Sequence, residues 1–345
     1  MGIVGGRTGR WGTVGRLAAL TTAAALLTGC GGKLMDDLDA ASETVAPTET
    51  PSVTASPSAE PPESLPSPSL EPVPARKKQV RKPPAPLKRP DITVPRMKMP
   101  PVFDGPVLGG DISWPQCPPG MGIPAKRTLG MPMPLPQAKY VVIGLTNGPG
   151  FTPNPCLESQ VDWVKERDLM ASAYAVHSYP DAGTLAQYGG KGPFDAGTTR
   201  GRLQNVGFQQ SLYNLANLKA AGLSTPIVWI DVEPVPTFEW STDKAANAAV
   251  IAGAARGYTD SGFGIGVYST PALYEGVVGE LSLGGVPEWR AAGQTSQAEA
   301  LSRCGPDWTI QGGDGVMGQW VQYERDLNIT CPGAEKQMFR FFHQY

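Results

Sequence analysis

The chain has 345 residues, a formal net charge of −2 at pH 7, 36 prolines and two histidines. The near-neutral charge excludes the strongly basic composition of proteins that hold nucleic acid by its phosphates, so no nucleic-acid partner is expected. His177 and His343 are too few for most zinc sites and argue against a histidine-based catalytic triad, so neither a metal nor another cofactor is expected.

Residues 1–29 have the pattern of a targeting segment rather than of a folded element. Arg7, Arg10 and Arg16 precede an apolar run of residues 17–27 that is too short to span a membrane stably. The run ends in Leu-Thr-Gly-Cys, which resembles a bacterial lipoprotein signal and predicts that Cys30 carries the lipid. A plain secretory signal is the alternative. The protein is therefore expected outside the cytoplasm, lipid-anchored on the outer face of a bacterial membrane and reaching into the cell wall.

Residues 30–108 show no hydrophobic periodicity. The first half is rich in Ser, Thr, Pro and Glu, and the second half combines Pro with Lys and Arg. Such a composition predicts a disordered, proline-stiffened tether, because it cannot bury enough apolar surface to offset chain entropy. At ~3.1 Å per residue the tether could extend on the order of 200 Å. Its basic half could contact anionic lipid or wall polymers, or serve as a simple spacer.

Strands and helices alternate along residues 109–333. Helices are predicted over 157–170, 208–221 and 245–258, where apolar residues recur at helical spacing or alanine dominates. Strands are predicted to start near Gly109, Tyr140, Ala171, Pro226, Gly264, Glu288 and Gly318. The pattern predicts one α/β domain, a single TIM-like (β/α) barrel with a β-rich second half, followed by a tail of residues 334–345. A monomer is expected.

Four cysteines remain once Cys30 is assigned to the lipid. An even number in an oxidising compartment indicates disulfides, and four cysteines allow three pairings. We predict that Cys117 pairs with Cys156 and Cys304 with Cys331, each pair clamping a loop. A zinc or redox site is the poorer interpretation, since the chain has no Cys-x-x-Cys.

The segment from Pro226 to Pro234 reads as a buried strand that ends in two carboxylates. Alternation places Trp229, Asp231 and Glu233 on one face, and the apolar residues between them on a face that needs covering by helices. The two carboxyl groups lie on the order of 7 Å apart along the backbone, within the range of paired carboxylates in glycosidases. A solvated strand end, a helix cap or a metal site would also fit Asp-x-Glu.

Several motifs in order resemble the family 25 lysozyme-like glycoside hydrolases and their actinobacterial relatives. The resemblance covers about Asp111 to Asn328 and none of the tether. It rests on six pieces: Asp111-Ile-Ser-Trp-Pro-Gln116; Thr146-Asn-Gly148 with Phe151 and Asn154; Asp231-Val-Glu233; Val267-Tyr268-Ser269; Trp289-x-Ala291; and Trp320 to Tyr323 with Asp326-Leu-Asn328.

The resemblance implies a barrel whose site lies at the C-terminal ends of the strands and cleaves muramic acid linkages in peptidoglycan. It implies Glu233 as general acid and Asp231 as stabiliser of the cation-like transition state, with Asp111 and Asp326 in the same pocket. A desolvated cleft with several carboxyls also raises the pKa of the most buried one. Candidates for stacking on sugar rings, with core packing as the alternative, are Trp114, Trp229, Tyr268, Trp320 and Tyr323.

Two functions therefore compete at this stage. The leading one is a membrane-anchored hydrolase of peptidoglycan or a related wall polysaccharide. The alternative is a glycan-binding lipoprotein that keeps a hydrolase-like barrel without catalysis. All four acidic positions are filled, which favours the enzyme.

Overall fold

The computed structural model describes residues 99–148, 150–235 and 238–345. Along these residues the strands are β1 Leu108–Ile112, β2 Tyr140–Gly144, β3 Met170–Val176, β4 Ile227–Asp231, β5 Gly264–Ser269, β6 Glu288–Ala291, β7 Gly315–Gln322, β8 Arg325–Thr330 and β9 His343–Gln344. The α-helices are α1 Leu157–Lys165, α2 Ala182–Tyr188, α3 Thr199–Ala220, α4 Lys244–Asp260, α5 Pro271–Val278 and α6 Gln297–Ser302.

Strands β1 to β8 close into a barrel. Each of β1 to β6 pairs in parallel with the next strand, whereas β8 runs antiparallel to both β7 and β1 and completes the ring. Helices follow β2 to β6, but β7 turns directly into β8. The predicted βα barrel with a β-rich end is therefore confirmed, and the antiparallel closing strand follows from the hairpin.

The two faces of β4 pack as the alternation predicts. Ile227 and Trp229 point into the barrel and belong to its buried interior. Val228 and Ile230 point outward and pack against buried residues of α4 and α5, such as Ile251 and Val277. Both faces are apolar because one fills the barrel and the other lies under helices.

Helices α3 and α4 pack unusually closely. A Cβ added to Gly207 would lie 1.8 Å from the Val250 carbonyl oxygen, and one added to Gly253 would lie 1.9 Å from the Gln204 carbonyl oxygen. Helix α3 begins at Thr199, nine residues before the predicted start, with the Thr198 side chain accepting a hydrogen bond from the Gly201 backbone. The first turns of α3 contain glycines and polar residues, which usually indicate a turn or loop. Here Gly207 instead allows α3 to contact α4 closely, so the sequence pattern did not reveal where the helix begins.

Residues 334–345 belong to the domain core, which corrects the expectation of a tail. Phe341 and Phe342 are buried in the barrel interior, and the Phe342 ring packs against the Tyr140 ring with centroids 4.5 Å apart and an angle of 48° between the ring planes. Strand β9 pairs antiparallel with the first residues of β3. The C-terminal segment therefore plugs the N-terminal end of the barrel, the end opposite the carboxyl-rich strand ends.

Both predicted disulfides are confirmed. Cys117 and Cys156 have Cα atoms 5.6 Å apart, and Cys304 and Cys331 have Cα atoms 5.5 Å apart. The first bond ties the segment after β1 to the start of α1, and the second ties the segment after α6 to the end of β8.

The signal segment, Cys30 and the tether up to residue 98 lie outside the described residues. Along the described part of the chain, every helix is too short or too polar to cross a membrane.

Candidate active site

Four carboxylates from three strands line one pocket at the C-terminal end of the parallel strands. Asp111 lies near the end of β1, Asp231 ends β4, and Glu233 follows it by two residues. Asp326 lies at the start of β8, directly opposite Asp111 in the antiparallel pairing. Because β8 runs against β1, its first residues reach the same rim as the last residues of β1. The structure thus brings together all four predicted acids.

Asp111 is held by two amides that the barrel itself positions. Asn328 Nδ2 donates to Asp111 Oδ2 at 2.7 Å, and Gln319 Nε2 donates to the same oxygen at 3.1 Å. The amide oxygens accept in turn, Asn328 from Trp289 Nε1 and Gln319 from the Tyr268 hydroxyl, both at 2.7 Å. Each amide has a defined orientation, so the network fixes the Asp111 carboxyl rigidly.

The pKa of Asp111 is raised well above its usual value, first by burial and then by the charge of Asp326, although the two amide hydrogen bonds oppose the shift. The pKa of Asp231 is also raised well above its usual value, by burial and then by Glu233 and Asp111. Among the described residues, no group donates to the buried Oδ1 of Asp231. An unpaired buried oxygen is costly, and burial without a donor disfavours the charged form of Asp231.

Glu233 lies just beyond β4, where the backbone leaves the barrel wall. Trp240 Nε1 donates to its carbonyl oxygen at 2.9 Å, and the Ser269 hydroxyl donates to the preceding Val232 carbonyl at 2.6 Å. Burial, and next the charge of Asp326, raise the pKa of Glu233 to about 7, against an opposing effect of Lys126. Burial raises the pKa of Asp326 to about 6. Burial and mutual repulsion therefore raise the pKa values of all four carboxyls, which favours retention of protons in the pocket.

Aromatic side chains form a layer beneath the acids. Trp289 contacts Tyr268 with ring centroids 4.4 Å apart and Tyr174 at 5.7 Å, and all three line the pocket. Trp114 lines it near the mouth. Of the predicted stacking residues, Trp114 and Tyr268 therefore lie where a ligand could reach them.

The other three predicted stacking residues lie elsewhere, so their assignment is corrected. Trp229 is 0% exposed in the barrel interior, with Nε1 donating to Ser172 Oγ. Trp320 is 2% exposed and packs on the outer side of β7 near Ala300. Tyr323 is 67% exposed in the tight β7–β8 turn with a positive φ, outside the pocket lining.

The alternation of side chains along β7 explains why Trp320 lies outside the pocket. Gln319 points into the pocket, so its neighbour Trp320 must point outward. Sequence reasoning also missed Trp289 and Tyr174 as pocket residues, although alternation along β6 and β3 could have found them. It missed Lys126 because that residue lies in an irregular segment with no periodic signal.

The carboxyls of the pocket define the chemistry that its side chains can carry out. Among the described residues, no group of three or more His, Cys, Asp or Glu side chains has an arrangement able to hold a metal ion. A carboxyl whose pKa is about 7, with other carboxyls in the same pocket, suits proton transfer to a ligand and stabilisation of positive charge. The fold and site together define an eight-stranded barrel with an acidic, carboxyl-based pocket at its C-terminal rim.

Comparison with solved structures finds lysozymes and muramidases that are similar in fold to this chain. A family GH25 lysozyme from Aspergillus fumigatus is 16% identical, with 68% of this chain and 99% of that chain covered and a TM-score of 0.41. A muramidase from Trichobolus zukalii is 17% identical, with 68% and 97% covered and a TM-score of 0.43. A bacterial lysozyme from Streptomyces coelicolor is 12% identical, with 68% and 95% covered and a TM-score of 0.43.

The modular autolysin LytC from Streptococcus pneumoniae, solved with a synthetic peptidoglycan ligand, is 10% identical with a TM-score of 0.39. The alignment covers 65% of this chain and spans 46% of that structure. No protein-family model matches the chain, and no curated protein matches it in sequence. These identities and TM-scores are too low to assign a reaction to this chain. Its chemistry is therefore argued from its own side chains.

Proposed function

We propose that this protein is a glycoside hydrolase of the bacterial cell wall that cleaves peptidoglycan between amino sugars, as a muramidase does. The observation that carries the proposal is the convergence of Asp111, Asp231, Glu233 and Asp326 on one pocket, where the pKa of Glu233 is about 7. A carboxyl that keeps its proton near neutral pH beside ionisable neighbours is what acid-catalysed glycosidic cleavage requires. The motif resemblance described from the sequence supplies the substrate class.

Glu233 is the general acid in this proposal. Its proton passes to the glycosidic oxygen as the bond to the anomeric carbon breaks, and the bonding electron pair stays with the leaving sugar. Asp231 accepts the N–H of the sugar's acetamido group through its open Oδ1, so that the acetamido oxygen attacks the anomeric carbon. Water then opens the resulting ring and returns a proton to Glu233. Asp111 and Asp326 stabilise the positive charge that develops.

The location of the enzyme is part of the same proposal. A lipid on Cys30 would hold the chain on the outer face of the membrane, and residues 31–98 would span the distance to the wall polymer. The described chain enters the barrel at Phe103 and Val107, which pack with Met338 and Phe341 in the barrel interior. These contacts lie towards the plugged N-terminal end of the barrel, so the pocket opens at the opposite end from the entering chain.

The direct test is release of new reducing ends from purified peptidoglycan by the full chain. Wild type should release them, and Glu233→Gln should lower the rate roughly 100-fold or more, because the isosteric amide cannot donate the proton. Equal thermal stability of the two proteins at pH 4, where Glu233 is protonated, would show that the variant is folded. Equal release by wild type and Glu233→Gln would exclude the mechanism. Binding to peptidoglycan without release would favour the non-catalytic alternative.

A further inference from the structure

Lys126 is the basic residue among the described side chains that line the acidic pocket. Its ammonium nitrogen lies 5.4 Å from the centroid of the Trp114 ring and 5.9 Å from that of Phe238. It is half-buried, at the mouth between two aromatic side chains. A lysine held this way keeps its charge near the ligand space while its stem is packed.

The segment that carries Lys126 is held by several hydrogen bonds and a disulfide. Asn147 is fully buried, accepts from the Ile123 backbone at 2.9 Å and donates to the Lys126 carbonyl at 3.1 Å. Arg127 Nη1 donates to the carbonyl of Gly122 at 2.7 Å, and the Thr128 hydroxyl donates to the Pro118 carbonyl. The Cys117–Cys156 bond closes the base of the segment. A side chain preorganised at this level is suited to ligand recognition.

The charge of the pocket gives Lys126 a role. The carboxyls that are ionised repel an anionic ligand, and the ammonium of Lys126 at the same pocket opposes that repulsion. Lys126 already acts electrostatically on Glu233, whose pKa it lowers. An ammonium at the rim of an acidic site compensates the charge of a substrate that itself carries a negative group.

We propose that Lys126 determines specificity by binding a carboxylate carried by a substituent of the amino sugar in the pocket. This inference rests on the proposed function and names which part of the glycan the site reads. In a muramic acid residue the carboxylate belongs either to a free lactyl ether or, when the lactyl group is amidated, to the attached peptide. Both sources present the same chemistry to Lys126.

The test measures binding rather than turnover, in the full chain carrying Glu233→Gln. The ligands are a neutral N-acetylglucosamine tetramer, an alternating tetramer with free lactyl carboxylates, and the same alternating tetramer with peptides attached. Affinity is measured by quenching of tryptophan fluorescence. Adding Lys126→Gln should weaken one or both carboxylate-bearing ligands roughly tenfold, the scale of a charged hydrogen bond, and leave the neutral tetramer within about twofold. The ligand that loses affinity identifies the source of the carboxylate.

Two further variants separate recognition from structure. Lys126→Arg should retain most of the affinity because it restores the charge. Lys191→Gln removes an exposed lysine that lies over the Tyr188 ring outside the pocket and should change no affinity. An equal loss for neutral and charged tetramers, or no loss for any ligand, would overturn the proposal. The binding assay needs no cleavage. Its result can therefore be interpreted even if the reducing-end assay detects no hydrolysis.

Discussion

At the scale of single residues, the proposed chemistry depends on the pH at which Glu233 releases its proton. Its pKa lies about 7 because burial and then Asp326 oppose ionisation, while Lys126 favours it. Activity should therefore fall as the pH rises through about 7, when the general acid is lost. Replacing Lys126 by Met should move the alkaline limb of kcat/KM to higher pH, because loss of the ammonium charge raises the pKa of Glu233. An unchanged limb in a pH–rate profile of the two proteins would contradict the assigned role of Glu233.

The same group makes stability depend on pH. The carboxyl of Glu233 binds its proton more tightly in the folded state, with a pKa of about 7 against a usual 4.5. The folded state is therefore penalised progressively as the pH rises from about 4.5 to 7. Glu233→Gln removes this penalty. Its melting temperature should equal that of wild type at pH 4 and exceed it by several degrees at pH 8.

Thermal unfolding of wild type and Glu233→Gln across this pH range checks the sign of the difference in melting temperature. A variant that is less stable than wild type at pH 8 would show that Glu233 makes stabilising contacts in its ionised form. A stabilised but inactive variant is the usual relation at an active site, where function maintains buried groups at the expense of stability.

At the scale of elements, the close contact of α3 and α4 makes opposite predictions for two helical glycines. Gly253→Ala should destabilise the protein by about 1–3 kcal/mol, because the new Cβ meets the Gln204 carbonyl and the helices must separate. Gly276→Ala in α5 should stabilise it by about 0.5–1 kcal/mol, because no atom lies within 4 Å and alanine favours the helix. Urea unfolding measures both, and equal effects would contradict the packing.

Elements also show where sequence reasoning succeeds and fails. Strand β5 has the predicted limits, because glycine and serine bound an apolar core. The prediction of Trp320 as a sugar-stacking residue was wrong, because one residue of register along β7 decides whether Trp320 or Gln319 faces the pocket. Neither the strand pattern nor composition reveals which of the two faces the barrel interior.

At the scale of the whole molecule, the C-terminal segment contributes to the core that supports the site. Phe342→Ala should cost about 3–5 kcal/mol, because the ring is 1% exposed and its removal opens the plugged end of the barrel. Phe339→Ala, three residues earlier and 49% exposed, should cost less than about 1 kcal/mol. Chemical denaturation compares them, and similar small losses would show that the plug is dispensable.

The amino-acid sequence was enough to predict the alternation of strands and helices, the two faces of β4, the disulfide partners and the four acids. The elements and the faces of β4 follow from local periodicity, and the disulfide partners from distance along the chain. The set of four acids is what the motif resemblance implied. Only the tertiary structure decided that Asp111 faces Asp326 across an antiparallel pair, that Trp229 is core, and that Lys126 lies beside the acids. Barrel closure and an irregular loop produce these contacts, and contacts between distant segments leave no periodic signal in a single chain.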